Sequence, residues 1–79
     1  TWIVYMMRCA DGSLYTGVTT DVKRRLRQHN DPKGGAKYTR ARQPVSLVYS
    51  EKCADRSTAQ IKEAVIKKLS RQQKEALLH

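Results

Sequence analysis

Phenylalanine is absent from this sequence of 79 residues, and tryptophan occurs only once. Little aromatic surface is therefore available for a core, and the four tyrosines stand out. A chain of this length supports one modest core, because small domains bury a limited share of their surface. We therefore expect residues 1–79 to form a single domain.

Cysteines and long apolar runs are also scarce. Cys9 and Cys53 are too few for a thiolate zinc site, and neither belongs to a C-x-x-C pair. Reduced thiols are the default for such residues, which fits a cytoplasmic protein. No apolar run approaches the ~20 residues that span a bilayer, and no signal-peptide pattern is visible, so we expect no membrane partner. The chain begins at Thr1 without a methionine, so we expect that terminal sequence is missing.

Acidic side chains are few, with seven aspartates and glutamates against sixteen lysines and arginines, and the formal charge is +9. Such an excess favours a polyanionic partner, and nucleic acid is the first candidate. A solvated basic surface is the alternative, but the cations cluster at residues 23–27 and 37–42. Cations of this kind bind phosphates, and an aromatic ring can stack on a base. We therefore expect nucleic-acid contacts from five residues: Arg24, Lys37, Tyr38, Arg40 and Arg42.

Hydrophobic periodicity predicts three strands and three helices in the order β-β-α-β-α-α. The apolar run at residues 2–7 predicts a central strand covered on both faces, and Asp11-Gly12 predicts a tight turn into a second strand. Gly17 within that second strand indicates either a bulge or the close approach of another backbone or a ligand. The expected strands are 2–7, 14–18 and 45–50, and residues 30–43 are expected to be a loop. The expected helices are 22–29, one that follows a cap at Asp55 or Ser57 and runs to about Leu69, and 71–78. The expected helix N-caps are one of residues 19–21, then Asp55 or Ser57, then Ser70.

Two tyrosines, an arginine and a histidine are spaced so that they can converge. Antiparallel pairing across the turn can place Tyr5 and Tyr15 at the same end of neighbouring strands. Arg25 and His29 are four residues apart on the following helix and share one stripe. Taken singly, Arg25 is more often a surface cation and His29 a cation at a helix C-terminus. Together the four side chains indicate a site for phosphate chemistry.

The later helix offers a single carboxylate. Its apolar residues repeat every four positions and predict a core-facing stripe of Ile61, Val65 and Leu69. Glu63 points roughly away from this stripe and lies between Ala59 and Ile66, which would partly shelter it and suit a metal ligand. The alternative is a solvent-facing ion pair with Lys67, worth only ~0.3–0.5 kcal/mol.

These residues resemble the GIY-YIG nuclease superfamily, and most closely its small stand-alone YhbQ-like branch. Ile3-Val4-Tyr5 corresponds to the first family motif and Tyr15-Thr16-Gly17 to the second. The next helix resembles the family's arginine helix, with Arg25 and His29 in its functional positions, and Glu63 matches the metal-binding glutamate. The chain departs from the family pattern at Ile3, Val4 and Thr16, and it has no asparagine after Asn30.

A second likeness, to the structure-selective junction nucleases of the same superfamily, rests on three short segments. These segments are Arg27-Gln28-His29-Asn30, Gly34-Gly35-Ala36 and Thr39-Arg40. The likeness implies a preference for branched or flapped DNA, a role in DNA repair or recombination, and a possible protein partner. The runner-up interpretations are a non-catalytic nucleic-acid-binding module and a nuclease subunit that is active only with a partner.

The resemblance implies an α+β fold, a small three-stranded antiparallel sheet flanked by helices, and metal-dependent hydrolysis of a DNA phosphodiester. Glu63 would hold one weakly bound Mg²⁺ or Mn²⁺ at the leaving-group oxygen, and Arg25 would stabilise charge on the phosphate. Tyr5 is the first choice for the general base, with Tyr15 its rival. A free phenol has a pKa of ~10, so we expect Arg25 and His29 to lower it. His29 is alternatively the group that accepts the phenolic proton.

Overall fold

The first strand of the chain is the centre of its sheet. In the computed structural model, which describes residues 1–34 and 36–78, β1 (Trp2–Arg8) pairs antiparallel with β2 (Leu14–Thr19) on one side and β3 (Ser46–Cys53) on the other. Both faces of β1 are covered, as the continuous apolar run predicts. The predicted three-stranded antiparallel sheet is confirmed. Gly35, one of the two glycines in the predicted loop, lies outside the described residues.

Within residues 1–34 and 36–78, four helices flank the sheet, one more than the sequence predicts. They are α1 (Val22–Asn30), α2 (Lys37–Arg40), α3 (Arg56–Lys67) and α4 (Arg71–Ala76). The side chains of Val4 and Met6 pack on the α3 side of β1, and those of Tyr5 and Met7 pack on the α1 side. All four are at most 1% exposed, so the core has two halves separated by β1. Among the described residues, no helix combines the length and the apolar character needed to cross a bilayer.

Side-chain caps set the helix starts. Asp21 begins α1 by accepting a hydrogen bond from the Arg24 amide at 3.0 Å. Asp55 begins α3 by accepting one from the Thr58 amide at 2.7 Å, so Asp55 rather than Ser57 is the cap. The predicted capping box of α4 is confirmed, because Ser70 and Gln73 satisfy each other's backbone amides.

The turn between β1 and β2 requires a glycine. Gly12 has a φ of 86°, in the left-handed region that other residues avoid. Asp11 supports the turn by accepting hydrogen bonds from the amide and hydroxyl groups of Ser13. The predicted Asp11-Gly12 turn is therefore confirmed, within a connection of five residues, 9–13.

Helix α2 occupies part of the segment that the sequence predicts as a loop. It is a single turn, too short to be stable alone, so neighbouring contacts must hold it. The Asn30 side chain bonds both backbone groups of Val45, with its oxygen 2.7 Å from the amide and its nitrogen 3.0 Å from the carbonyl. The Gln43 amide nitrogen donates to the carbonyls of His29 and Asp31, each at 2.7 Å. These contacts fix both ends of the segment against α1.

The prediction that a stripe of Ile61, Val65 and Leu69 faces the core is wrong. Ile61 is 63% exposed and Val65 is 56% exposed, whereas Ala59 and Ile66 are buried against the sheet. Leu69 lies beyond the end of the helix. The small side chain of Ala59 lets α3 approach the sheet closely, so the opposite face is the one that packs. This orientation also turns Glu63 toward the protein.

Candidate active site

The sheet register places the two site tyrosines on one face. Tyr5 pairs with Gly17 and Met7 pairs with Tyr15, so the tyrosines are diagonal neighbours across β1 and β2. Their ring centroids are 6.5 Å apart. Helix α1 packs on the same face and brings the imidazole of His29 to 6.0 Å from the Tyr5 ring and 5.0 Å from the Tyr15 ring. The predicted convergence of these rings is confirmed.

Gly17 is the residue that makes room for the Tyr5 phenol. The pairing of β1 with β2 runs without a shift from Ile3 opposite Thr19 to Arg8 opposite Leu14, so the bulge interpretation is wrong. A β-carbon at Gly17 would lie 2.5 Å from the Tyr5 hydroxyl oxygen and 2.7 Å from its Cζ. The close approach at this glycine is made by the side chain of Tyr5.

A buried chain of polar atoms leads away from Tyr5. The Tyr5 hydroxyl lies 3.0 Å from Nε2 of His29, and Nδ1 of His29 lies 2.7 Å from Oγ1 of Thr39. The Thr39 hydroxyl donates to the carbonyl of Ala36 at 3.0 Å. His29 and Thr39 are fully buried. Residue spacing could not predict the contact made by Thr39, because it depends on the unpredicted helix α2.

Arg25 lies beside this chain. Its positive charge acts on the Tyr5 phenol, and its Nη1 donates to Oε1 of Gln28 at 3.0 Å. Arg25 also lines a cleft of about 270 Å³, together with Trp2 and Arg24. The guanidinium thus acts on the phenol electrostatically and also borders an open cleft.

Burial governs the protonation of Tyr5 and His29. The pKa of the Tyr5 phenol is raised above 10.0, chiefly because burial disfavours the phenolate, although the Arg25 guanidinium opposes this. The pKa of His29 is lowered below 6.5, first by burial and then by the charge of Arg25. Arg25 thus acts on Tyr5 in the predicted direction, but burial outweighs it, so the expected net lowering of the phenol's pKa is wrong. At neutral pH a protonated phenol faces a neutral imidazole.

Glu63 belongs to α3, which packs on the Val4 and Met6 face of the sheet, whereas the Tyr5 ring packs on the α1 face. The negative charge of Glu63 makes the smallest of the contributions that raise the pKa of the Tyr5 phenol. The Glu63 side chain is 23% exposed, and its carboxylate lies 3.5 Å from Nζ of Lys67. Both sequence interpretations of Glu63 thus have a counterpart, because the ion pair with Lys67 forms and the carboxylate is also partly sheltered.

The structure is compatible with a metal ion held by a single carboxylate. Within residues 1–34 and 36–78, no cluster of three or more histidine, cysteine, aspartate or glutamate side chains could hold a metal ion. Mg²⁺ in phosphate-processing sites is often bound by one or two carboxylates, with water and substrate oxygens completing its octahedron. The partly exposed carboxylate of Glu63 fits this arrangement.

Three of the residues predicted to bind nucleic acid are exposed cations. Arg24 is exposed on α1 and borders the cleft beside Arg25. Lys37 and Arg40 are exposed on α2, the helix that carries Thr39. The same two short helices therefore carry both the polar chain and exposed positive charge.

The other two predicted binding residues already have partners within the protein. The Tyr38 ring is 39% exposed and stacks on the ring of Tyr15, with centroids 6.0 Å apart. The Arg42 guanidinium lies 3.9 Å above the Tyr38 ring, and its Nε lies 2.9 Å from Oδ2 of Asp11. These contacts tie α2 to the β1–β2 turn. A contact with nucleic acid stays a prediction for both residues.

Solved structures of similar proteins share this fold. The solution NMR structure of a UPF0213 protein from Bacillus halodurans superposes with a TM-score of 0.63 at 47% identity, covering 98% of this chain and 81% of that one. The solution NMR structure of a protein from E. faecalis gives a TM-score of 0.61 at 44% identity, covering 95% and 80%. The α+β arrangement is therefore shared with experimentally determined relatives.

Sequence comparisons identify the family. A UPF0213 protein of Desulfotalea psychrophila is 53% identical over 77 residues, which cover 98% of this chain and 70% of that protein. A UPF0213 protein of Halobacterium salinarum is 54% identical over 74 residues, covering 94% and 95%. The family model of the GIY-YIG catalytic domain matches residues 1–76. The chain therefore belongs to the GIY-YIG nuclease superfamily, within its small stand-alone UPF0213 family.

Proposed function

We propose that this protein is a DNA endonuclease that hydrolyses phosphodiester bonds with the help of a divalent metal ion. The observation that carries the proposal is the buried hydrogen bond between Tyr5 and His29, on which Arg25 and Glu63 both act. A phenol, a neutral imidazole, a guanidinium and a carboxylate are the groups that such a hydrolysis requires. Membership of a nuclease superfamily supports the same reaction.

Tyr5 is our choice for the general base, acting together with His29. Because the pKa of Tyr5 is raised, the phenol cannot act as a preformed phenolate. It can instead take a proton from the attacking water while its own proton passes to Nε2 of His29, 3.0 Å away. The lowered pKa of His29 keeps that nitrogen unprotonated and ready at neutral pH. Tyr15 is the supporting ring, packed edge-on against His29.

Arg25 is the proposed phosphate-binding group. Attack on phosphorus builds negative charge on the non-bridging oxygens, and a guanidinium presents several fixed donors to them. Arg25 borders the open cleft and also acts electrostatically on Tyr5, so it could hold the phosphate close to the base. Its hydrogen bond to Gln28 orients the guanidinium from the other side.

Glu63 is the proposed metal ligand. When bound, Mg²⁺ or Mn²⁺ would neutralise charge that develops on the leaving oxygen. Because one carboxylate is the only proposed protein ligand, we expect weak binding that strengthens when DNA is present. Its carboxylate also lies 3.5 Å from Nζ of Lys67, in a partly exposed ion pair that constrains it little.

We propose DNA with branches or flaps as the substrate, and a role in repair or recombination. The charge of +9 supports a polyanionic substrate. The exposed cations Arg24, Lys37 and Arg40 are the proposed phosphate contacts, and Tyr38 and Arg42 are the proposed contacts at the edge of the site.

Replacing Glu63 by glutamine should lower metal-dependent cleavage by about a hundredfold, because the amide keeps the shape but removes the charge that holds the cation. Supercoiled, linear, flapped and branched DNA would be incubated with Mg²⁺, with Mn²⁺ or with a chelator, and products would be measured on denaturing gels. Lys67→Gln is the matched control. It removes the ion-pair partner of Glu63 and should leave cleavage within a few-fold of the wild-type rate, because exposed pairs contribute little.

The same assay separates the nuclease from its alternatives. Salt-dependent binding to DNA without products from any substrate would indicate a non-catalytic nucleic-acid-binding module. Cleavage that begins only when a cell extract is added would indicate a partner-dependent subunit. An equal loss in Lys67→Gln and Glu63→Gln would show that Glu63 acts through the ion pair rather than as a ligand.

The rate of cleavage should fall in acid only below pH 6.5. His29 must be neutral to accept the proton, and its pKa is lowered below 6.5 by burial and by Arg25. The unfolded chain binds a proton at this histidine more readily than the folded protein, so the free energy of unfolding should also fall as the pH drops below 6.5. The measurement is kcat/KM against pH, together with urea unfolding. An acid limb centred above pH 6.5 would contradict the assignment.

A further inference from the structure

The hydrogen bonds around His29 select one of its two neutral forms. Imidazole carries its proton on either Nδ1 or Nε2, and the partner of each nitrogen decides which. Nε2 faces the Tyr5 hydroxyl at 3.0 Å, and Nδ1 faces the Thr39 hydroxyl at 2.7 Å. Both hydroxyls can donate or accept, so their other partners determine the direction of each bond.

The contact with Thr39 places the proton of neutral His29 on Nδ1. A threonine hydroxyl has one hydrogen, and the oxygen of Thr39 lies 3.0 Å from the carbonyl of Ala36, which can only accept. The hydrogen is therefore directed to Ala36, and Oγ1 presents a lone pair to His29 at 2.7 Å. The Ala36 amide also points toward Nδ1, but at 3.5 Å it is a much longer contact.

The Tyr5 side accommodates the same form. With the proton on Nδ1, Nε2 presents a lone pair, and the phenolic hydrogen of Tyr5 can point to it across 3.0 Å. Arg25 has no acceptor to offer that hydrogen. The contact with Thr39 therefore determines the tautomer, and the Tyr5 hydroxyl orients to match it.

We propose that Thr39 is a positioning residue that holds the proton of His29 on Nδ1, so that Nε2 can receive the phenolic proton of Tyr5 during cleavage. The proposal rests on the proposed nuclease function. Thr39 touches neither DNA nor the reacting atoms. It acts through His29, and Ala36 acts on Thr39 in turn.

The proton balance of the step is complete. A bond forms between the water oxygen and phosphorus, and the bond from phosphorus to the leaving oxygen breaks with its electron pair. One water proton moves to the Tyr5 oxygen as the Tyr5 proton moves to Nε2 of His29. His29 becomes an imidazolium whose Nδ1 proton stays on the ring and is donated to Oγ1 of Thr39. Solvent protonates the leaving oxygen and later takes the extra proton from His29.

The first test reads the tautomer directly. Two-bond ¹H–¹⁵N correlation spectra distinguish a protonated from an unprotonated ring nitrogen, and the sequence has only two histidines. The His29→Gln spectrum assigns the signal. We expect the wild-type protein at neutral pH to show a proton on Nδ1 and none on Nε2. A proton on Nε2 of His29 would overturn the proposal, whether or not the protein cleaves DNA.

The second test uses two variants of Thr39. Thr39→Val keeps the shape but removes the hydroxyl, and it should lower kcat by about tenfold while KM stays unchanged. Thr39→Ser keeps the hydroxyl and should restore the rate to within about twofold. In Thr39→Val the Nε2-protonated form of His29 should become visible. A wild-type rate and tautomer in a folded Thr39→Val protein would overturn the proposal.

These two readouts separate failure of the inference from failure of the proposed function. A protein with the predicted tautomer that cleaves no DNA contradicts the nuclease but leaves the Nδ1 assignment intact. If Thr39→Val does not fold, the spectrum of the wild-type protein and the rate of Thr39→Ser still decide the result. Equal losses of rate in Thr39→Ser and Thr39→Val would assign Thr39 a packing role and overturn the proposal.

Discussion

Replacement of Tyr5 by phenylalanine is expected to lower kcat/KM for DNA cleavage by about a thousandfold, the scale on which general bases contribute. In the proposed mechanism the Tyr5 hydroxyl connects the attacking water to His29, and the substitution removes it. The ring would stay in place, because Tyr5 is 1% exposed and packed in the core beside Met7. The loss should therefore appear in kcat, with little change in the affinity for DNA.

The same variant should also be less stable, by about 1–3 kcal/mol in the free energy of unfolding. It leaves the buried Nε2 of His29 without a donor, and an unsatisfied buried polar atom carries that cost. Urea unfolding measures the change, and DNA-binding titrations show whether the folded variant still binds. The cleavage assay is run under conditions in which both proteins are folded.

Tyr49→Phe is the matched control. Tyr49 also loses a hydrogen bond in this substitution, because its hydroxyl donates to Glu51 at 2.6 Å. It packs with the Val4 and Met6 half of the core, on the sheet face opposite Tyr5. We expect its cleavage rate to be unchanged. Full activity in Tyr5→Phe combined with a large loss in Tyr15→Phe would reassign the general base to Tyr15.

The fold was predictable because its signals are local. The apolar run of β1, the Asp11-Gly12 turn and the cap at Ser70 each determine a few neighbouring residues, and the structure contains all three. The alignment of Tyr5 with Tyr15 followed from the antiparallel register, which the short connection between the strands constrains. Sequence order and residue type were sufficient for these features.

The face of α3 was not predictable from its periodicity. Two stripes on this helix carry apolar residues, and the stripe with the larger side chains, Ile61 and Val65, turned out to be exposed. The choice depends on how closely the helix can approach the sheet, which Ala59 determines. Larger side chains score higher in any hydrophobic pattern, although a smaller one permits closer packing.

The polar chain behind Tyr5 depends on contacts between distant segments. Thr39 reaches His29 only because a single helical turn is held by Asn30 and Gln43, and short helices of this kind have no pattern of their own. The direction in which the pKa of Tyr5 shifts was likewise not predictable from the sequence. A cation was visible in the sequence at Arg25, but the burial that outweighs its effect was not.

Gly17→Ala is expected to lower kcat/KM for DNA cleavage by about a thousandfold, as much as the loss of the Tyr5 hydroxyl itself. The new β-carbon would lie 2.5 Å from the Tyr5 hydroxyl oxygen and 2.7 Å from its Cζ, distances that force the ring to move. A displaced ring breaks the hydrogen bond to His29, on which the proposed proton transfer depends. Overpacking of this kind should also cost about 1–3 kcal/mol of the free energy of unfolding.

A double-mutant cycle with Tyr5→Leu isolates this clash. Leucine lacks the Cε1, Cζ and hydroxyl atoms that the β-carbon would meet. The stability cost of Gly17→Ala should therefore largely disappear in the Tyr5→Leu background, while cleavage stays lost. The measurements are urea unfolding and single-turnover cleavage of all four proteins. If the alanine costs the same stability in both backgrounds, the strand itself rejects it, and Gly17 is required for a reason other than the space it gives to Tyr5.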